Sequence, residues 1–258
     1  MKKAGLKTKA GKVITAILAA MILMLPMAAM AGTLDPGAGP DSTMHSLGEI
    51  YDKLETMDTK LDSGSCDTAP VPKTGQTKCY NTAGAEITCT GTGQDGDLLT
   101  GVTWPTPRFT DNGNGTVKDN LTGLIWLTNA NCPAAGRNWQ TALDDVVQFN
   151  TDGTMNSNDC GDTSNSGSHK TDWRLPNLFE LESLRDMAYF DPALSNTQGT
   201  AQWTEGNPFN GVQSSYYWSS TTHATNTSSA WIVNMKSGSV GIYGKTSSSY
   251  VWLVRSDN

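Results

Sequence analysis

The last third of the chain is cut into short aromatic pieces: YYWSST from Tyr216, AWIVNMKSG from Ala230, SVGIYGKT from Ser239 and YVWLVRSD from Tyr250. Their alternation and their Tyr, Trp and Val content predict an antiparallel sheet. The pattern begins earlier, in TDNGNGTVKDNLTGLIW from Thr110 to Trp126. There, short strand-like runs are separated by NGNG at Asn112–Gly115 and NLTG at Asn120–Gly123, sequences that favour the positive φ of tight turns.

The same stretch could be taken for a calcium loop. An EF-hand loop needs acids at alternate positions, a Gly at the sixth and a Glu at the twelfth. Counted from Asp111, the third position is Gly113, the fifth Gly115 and the twelfth Thr122. The stretch therefore reads as hairpin turns, with a structural calcium as the alternative, and no other cofactor is expected.

Two helices interrupt the strands. GRNWQTALDDVVQFN carries Trp139, Ala142, Leu143, Val146, Val147 and Asn150 at helical spacing, with Asn138 as N-cap. DWRLPNLFELESLRDM has Asn177 after Pro176, Glu180 three residues on, and Leu178, Leu181, Leu184 and Met187 as its apolar face. Between them, residues 151–171 form a Gly-, Ser-, Asn- and Asp-rich loop containing Cys160, whose expected mate is Cys132 before the first helix. Upstream, Cys79 and Cys89 flank Ala83-Gly84 and read as a bridged hairpin. Loops of these lengths gain about 2–4 kcal/mol from closure.

Disulfides presuppose export, and the N-terminus supplies the signal for it. MKKAGLKTKAGK precedes the apolar run VITAILAAMILMLPMAAMA, which ends in the small-x-small sequence Ala29-Met30-Ala31. Residues 1–31 read as a signal peptide. The run is short for a membrane span and holds Pro26, so no integral membrane segment is expected after cleavage. The destination is secreted or cell-surface, or periplasmic. Cleavage would remove five lysines and no acids, leaving 13 basic against 25 acidic side chains and a net charge of −12. Such a field repels nucleic acid.

Residues 32–64 are a leader followed by STMHSLGEIYDKLETMDTKL. In it Leu47, Ile50, Leu54, Met57 and Leu61 form a heptad seam of about two heptads, too short to be stable alone. The seam packs on copies of itself, making a homo-oligomer, or on its own domain, or frays. Residues 65–107 are a linker with the small Cys hairpin. Cys66, the odd cysteine of five, is a free thiol or an interchain bridge beside the seam. Residues 108–258 are the main domain.

RFTDNGNGTVKDNLTGLIW, DWRLPNLFELESL, YYWSST, AWIVNMKSG and YVWLVR, in that order, resemble the Lcl C-terminal domain family, a bacterial extracellular module, over about Arg108–Arg255. That family is similar to the C-type-lectin-like and formylglycine-generating-enzyme folds. The resemblance implies an α+β, C-type-lectin-like domain: two helices on a twisted, mainly antiparallel sheet with long loops. It also implies trimeric adhesins that bind sulfated polysaccharides from the ends of collagen-like stalks. This chain has no collagen repeat, so the heptad seam would have to trimerise it.

The resemblance does not bring lectin calcium chemistry with it: the chain has Glu205-Gly206-Asn207-Pro208 and no Trp-Asn-Asp. Nor does it bring the enzyme's chemistry, because no cysteine follows Cys160. His45, His169 and His223 lack ligand spacing, and Ser219-Ser220 has no recognisable base. No catalytic or metal residue is assigned. Trp173, Trp218, Trp231 and Trp252 read as core. Trp203 and Tyr243, in polar, Gly-rich surroundings, are the candidate ligand-binding residues, because aromatic faces pack on sugar rings. The expected function is an exported, non-enzymatic adhesin-type module for a glycan or another cell-surface ligand. The alternative is a structural or assembly component of the bacterial envelope.

Overall fold

A computed structural model describes residues 71–257, together with Gly48, Tyr51 and Asp52. The chain divides into two compact units, Met1–Ser65 and Cys66–Asn258. In the first, Gly48, Tyr51 and Asp52 are helical. The expectations for the signal peptide, His45, the seam residues Leu47, Ile50, Leu54, Met57 and Leu61, and Cys66 lie outside the described residues.

The second unit opens with a hairpin of β1 (Cys79–Tyr80) and β2 (Glu86–Ile87), with Cys79 opposite Ile87. The Asn81 side chain forms its turn by accepting from Ala83 N and Ala85 N, both at 3.0 Å. Cys79 and Cys89 are bridged, Cα to Cα 5.1 Å, and the short helix α1 (Asp95–Leu98) follows. Residues 71–107 are tied to the rest of the unit by backbone contacts. Met187 N donates to Thr74 O at 2.8 Å, and within the stretch the Trp104 indole N–H donates to Lys73 O at 2.9 Å.

The Asn-Gly stretches are turns, as expected. β3 (Phe109–Asp111), β4 (Thr116–Asp119) and β5 (Ile125–Leu127) form an antiparallel meander that a last strand, β11 (Val254–Arg255), extends in the order β11-β5-β4-β3. Gly115 is obligatory twice over. Its φ is 81°, and a Cβ there would lie 1.8 Å from Gly161 O. The acids and amides of the stretch already have protein partners. Asp111 Oδ1 accepts from Gly113 N at 2.8 Å and Asn114 Oδ1 from the Thr116 hydroxyl at 2.7 Å. Asp119 is buried and forks onto Arg108 at 2.9 and 3.1 Å.

Helix α2 (Trp139–Asp152) starts where Asn138 accepts from Thr141 N and ends at Gly153, φ 80°. Its buried face is Ala142, Asp145, Val146 and Phe149. Val147, expected on that face, is 67% exposed, and Asp145 takes an inward place because Arg137 meets it at 2.6 and 2.9 Å. The hairpin of β6 (Thr154–Met155) and β7 (Asn158–Asp159) follows, and Cys160 is bridged to Cys132, Cα to Cα 5.3 Å. Helix α3 (Leu178–Ser183) carries the expected capping box between Asn177 and Glu180. It stops before Met187 because Arg185 pairs with Leu194 and Asp186 N donates to Ala193 O, which draws the chain into an extended path. Met187 is consequently exposed.

The second sheet is antiparallel, in the order β10 (Val240–Gly244), β9 (Ser229–Asn234), β8 (Tyr216–Thr222). The single sheet expected is thus two, and residues 250–255 join them. Tyr250 pairs with Tyr217 of β8, while Val254 and Arg255 pair with Trp126 and Ile125 of β5. Val251, Trp252 and Leu253 are buried consecutively rather than alternately, because both sides of this segment face protein. Around Trp252 lie Trp126 (5.6 Å between ring centroids), Phe209 (4.7 Å) and Tyr217 (5.7 Å). Trp173, Trp218 and Trp252 are core as expected, but Trp231 is only half-buried, beside His223. Its neighbours Ala230 and Ile232 are buried.

Candidate functional site

The two candidate ligand residues lie in different settings. Trp203 is half-buried against the core, and its indole N–H donates to Phe209 O at 3.1 Å. Among the described residues it shares no ring contact with Tyr243. Tyr243 belongs to an aromatic band. It lies on β10 opposite Ala230, its ring 4.7 Å from Tyr216 and 6.4 Å from Trp218. Partial desolvation, then the hydrogen bond and charge of Tyr216, hold its phenol above the ordinary value.

Trp218 continues the band by donating its indole N–H to Arg137 O at 2.7 Å, which brings the start of α2 alongside. Trp139, the first residue of that helix, donates its indole N–H to Ser219 O at 2.9 Å and keeps part of its ring exposed. Lys245, two residues after Tyr243, sets its ammonium 4.0 Å from the centre of the Trp139 ring and donates to the Thr222 hydroxyl at 2.8 Å. Both contacts fix a long, mobile side chain. Asn138, Trp139, Gln140, Lys245 and Thr246 line an open cleft of about 440 Å³.

This arrangement brings partly exposed aromatic rings, a fixed cation and exposed amide side chains close together. Such a set can pack on an apolar ring face and pair with hydroxyls around it. The sequence reading missed Trp139 and Lys245. Trp139 fits the helical period, yet the residue after an N-cap stands at the helix end, where one edge stays open. Tyr216 and Tyr217 are adjacent on a strand, so only one could face the core.

The other residues weighed for chemistry are engaged structurally. The Ser219 hydroxyl donates to Trp231 O at 2.8 Å and the Ser220 hydroxyl to Pro176 O at 3.2 Å. His169 packs on Phe149 with ring centroids 5.9 Å apart, and His223 accepts from Asn226 N at 3.1 Å. Among the described residues no helix is long and apolar enough to cross a membrane, and no cluster of three or more His, Cys, Asp or Glu could hold a metal.

Among curated proteins no match was found. Residues 115–255, more than half of the chain, match the Lcl C-terminal domain family, with α2, α3, the second sheet and the whole Trp139–Tyr243 band inside the match, and the chain belongs to that family.

Proposed function

We propose that this chain is an exported, non-enzymatic binding module of the adhesin type, using the band from Trp139 to Tyr243 to hold a glycan or another surface ligand. The observation that carries the reading is Lys245 held over Trp139 at the edge of an open cleft with amide side chains beside it. A C-type-lectin-like domain, a destination at the cell surface or in the medium, and trimers assembled along Leu47, Ile50, Leu54, Met57 and Leu61 belong to the same proposal. Several modest sites on one oligomer sum to useful avidity, a gain of about two to four orders of magnitude when geometry permits. Trp203 is a second contact in this reading.

A glycan array probed with the protein as the cell exports it tests the proposal. Binding is expected, and Lys245→Ser or Tyr243→Ser should abolish it without unfolding the domain. Failure to bind any host or microbial polysaccharide, with a defined envelope protein recovered instead through the seam, would make the chain an assembly component. Light scattering tests the oligomer: Ile50→Asp with Leu54→Asp should give monomers, and a monomeric parent would remove the avidity argument.

A further inference from the structure

A second cleft, of about 780 Å³ and sharing no lining residue with the aromatic band, opens between the stretch before the matched family region and helix α3. That volume is typical of small-molecule sites. Its apolar wall comes from Val71, Val102 and Trp104 on one side and Phe179 and Met187 on the other. The wall is unusually open to water: Phe179 is 79% exposed and Val71 62%. Large side chains displayed together in this way mark a surface that is covered in use.

The polar groups of the cleft narrow what could cover it, because nearly all are already committed. The Ser183 hydroxyl donates to Glu180 O at 2.7 Å, the Thr122 hydroxyl to Asp119 Oδ2 at 2.8 Å, and the Thr74 hydroxyl to Asp95. Arg185 donates to Gly238 O at 2.6 Å and pairs with Glu182 at 3.3 Å. The Trp104 indole N–H is spent on Lys73 O. Lys73 is different: among the described residues its ammonium has no hydrogen bond or ion pair.

A peptide laid in this cleft would bring a backbone N–H and C=O with each residue, and apart from the Lys73 ammonium the side-chain donors of the walls are already engaged. A hydrocarbon brings neither. We propose that the cleft binds a free amphiphile with a hydrocarbon body and an anionic head, a long-chain carboxylic acid, its chain along Trp104, Phe179 and Met187 and its carboxylate on Lys73. The acidic balance of the whole chain, net −7, favours a single free acid over the extended negative surface of a membrane.

Calorimetric titration of the exported protein with dodecanoate below its micelle concentration tests this. One saturable site per chain is expected. Lys73→Gln should weaken it about tenfold, as should Phe179→Ser, the loss of one charged contact or one apolar wall. Both residues lie on the surface, and an unchanged thermal midpoint confirms that the variants fold. Dodecyl maltoside, with the same chain and no charge, should bind more weakly than dodecanoate to the parent and equally to parent and Lys73→Gln. Absence of a saturable site, or a site indifferent to both substitutions, overturns the proposal. So does binding to phosphatidylglycerol vesicles that depends on Lys73 and Phe179 while dodecanoate fails, since the occupant would then be a membrane.

Discussion

Residues 71–107 and residues 108–257 are built on opposite principles. In the first, Cys79 is the only fully buried side chain, and order comes from one disulfide, the Asn81 turn and backbone bonds to neighbouring loops. In the second, some thirty buried apolar side chains, four tryptophans among them, interlock around residues 250–255. A stretch too small to bury a core needs covalent help, whereas a larger one can afford a buried ion pair. The seam between them is where Trp104 lies 4.5 Å from the Arg108 guanidinium and Gly75 passes over Asp186.

The two regions differ most at Arg108–Asp119, an ion pair with no exposed surface on either side chain. Asp119→Ala would leave the guanidinium buried without its counter-charge, at a cost of about 3–5 kcal/mol. Urea unfolding should register the loss on the whole second unit, and a change below about 1 kcal/mol would mean that the pair does not hold the meander. Removing the first bridge should act differently. Cys79→Ser with Cys89→Ser forfeits about 3 kcal/mol of loop closure, but locally. Proteolysis within residues 71–107 should quicken while the main thermal transition stays put, and a shift of that transition by several degrees would show the two regions to be one cooperative unit.

Asp186, where the two regions meet, makes their contact depend on pH. Burial pushes its carboxyl up from 3.8 to about 6, against the hydrogen bond from Ala188 N and the charge of Arg108, which hold it down. The folded state thus prefers the protonated acid. The penalty is absent below about pH 4, grows as pH rises to about 6 and is constant above. Asp186→Asn should therefore stabilise the protein at pH 7.5, by at most about 3 kcal/mol, and lose its advantage near pH 4. Thermal melts at the two pH values decide it; an equal effect at both would point to packing against Gly75 instead. The smallest effect belongs to the cap: Asn177→Ala should cost about 1 kcal/mol, seen as a lower urea midpoint with an unchanged slope.

What the sequence disclosed follows from how local each signal is. The caps at Asn138 and Asn177, the turns at Gly113, Gly115 and Gly123, and the two bridges each depend on a few neighbouring residues, and all are where the residues place them. Local signals do not suffice where distant partners decide. Asp145 turns inward only because Arg137 is there to meet it, and Val147 is displaced outward. Met187 leaves the helical face because Leu194 and Ala193 capture the preceding residues as strand. The aromatic band is half legible in the sequence. Tyr243 stands out by its polar surroundings, but Lys245 acquires meaning only from Trp139, 106 residues earlier and 4.0 Å away.

The dual pairing of residues 250–255 also sets an order of events. The Trp252 indole N–H donates to Leu127 O at 2.8 Å across 125 residues of chain, and Tyr250 N donates to Tyr216 O at 2.8 Å. Neither sheet can be sealed against the other until this segment arrives, so the closing step carries the loop entropy of most of the domain. Topologies dominated by such distant pairings fold in milliseconds to seconds rather than microseconds. During that interval the meander of β3–β5 and the sheet of β8–β10 stand with open flanks, each a template for the equivalent segment of a neighbouring chain.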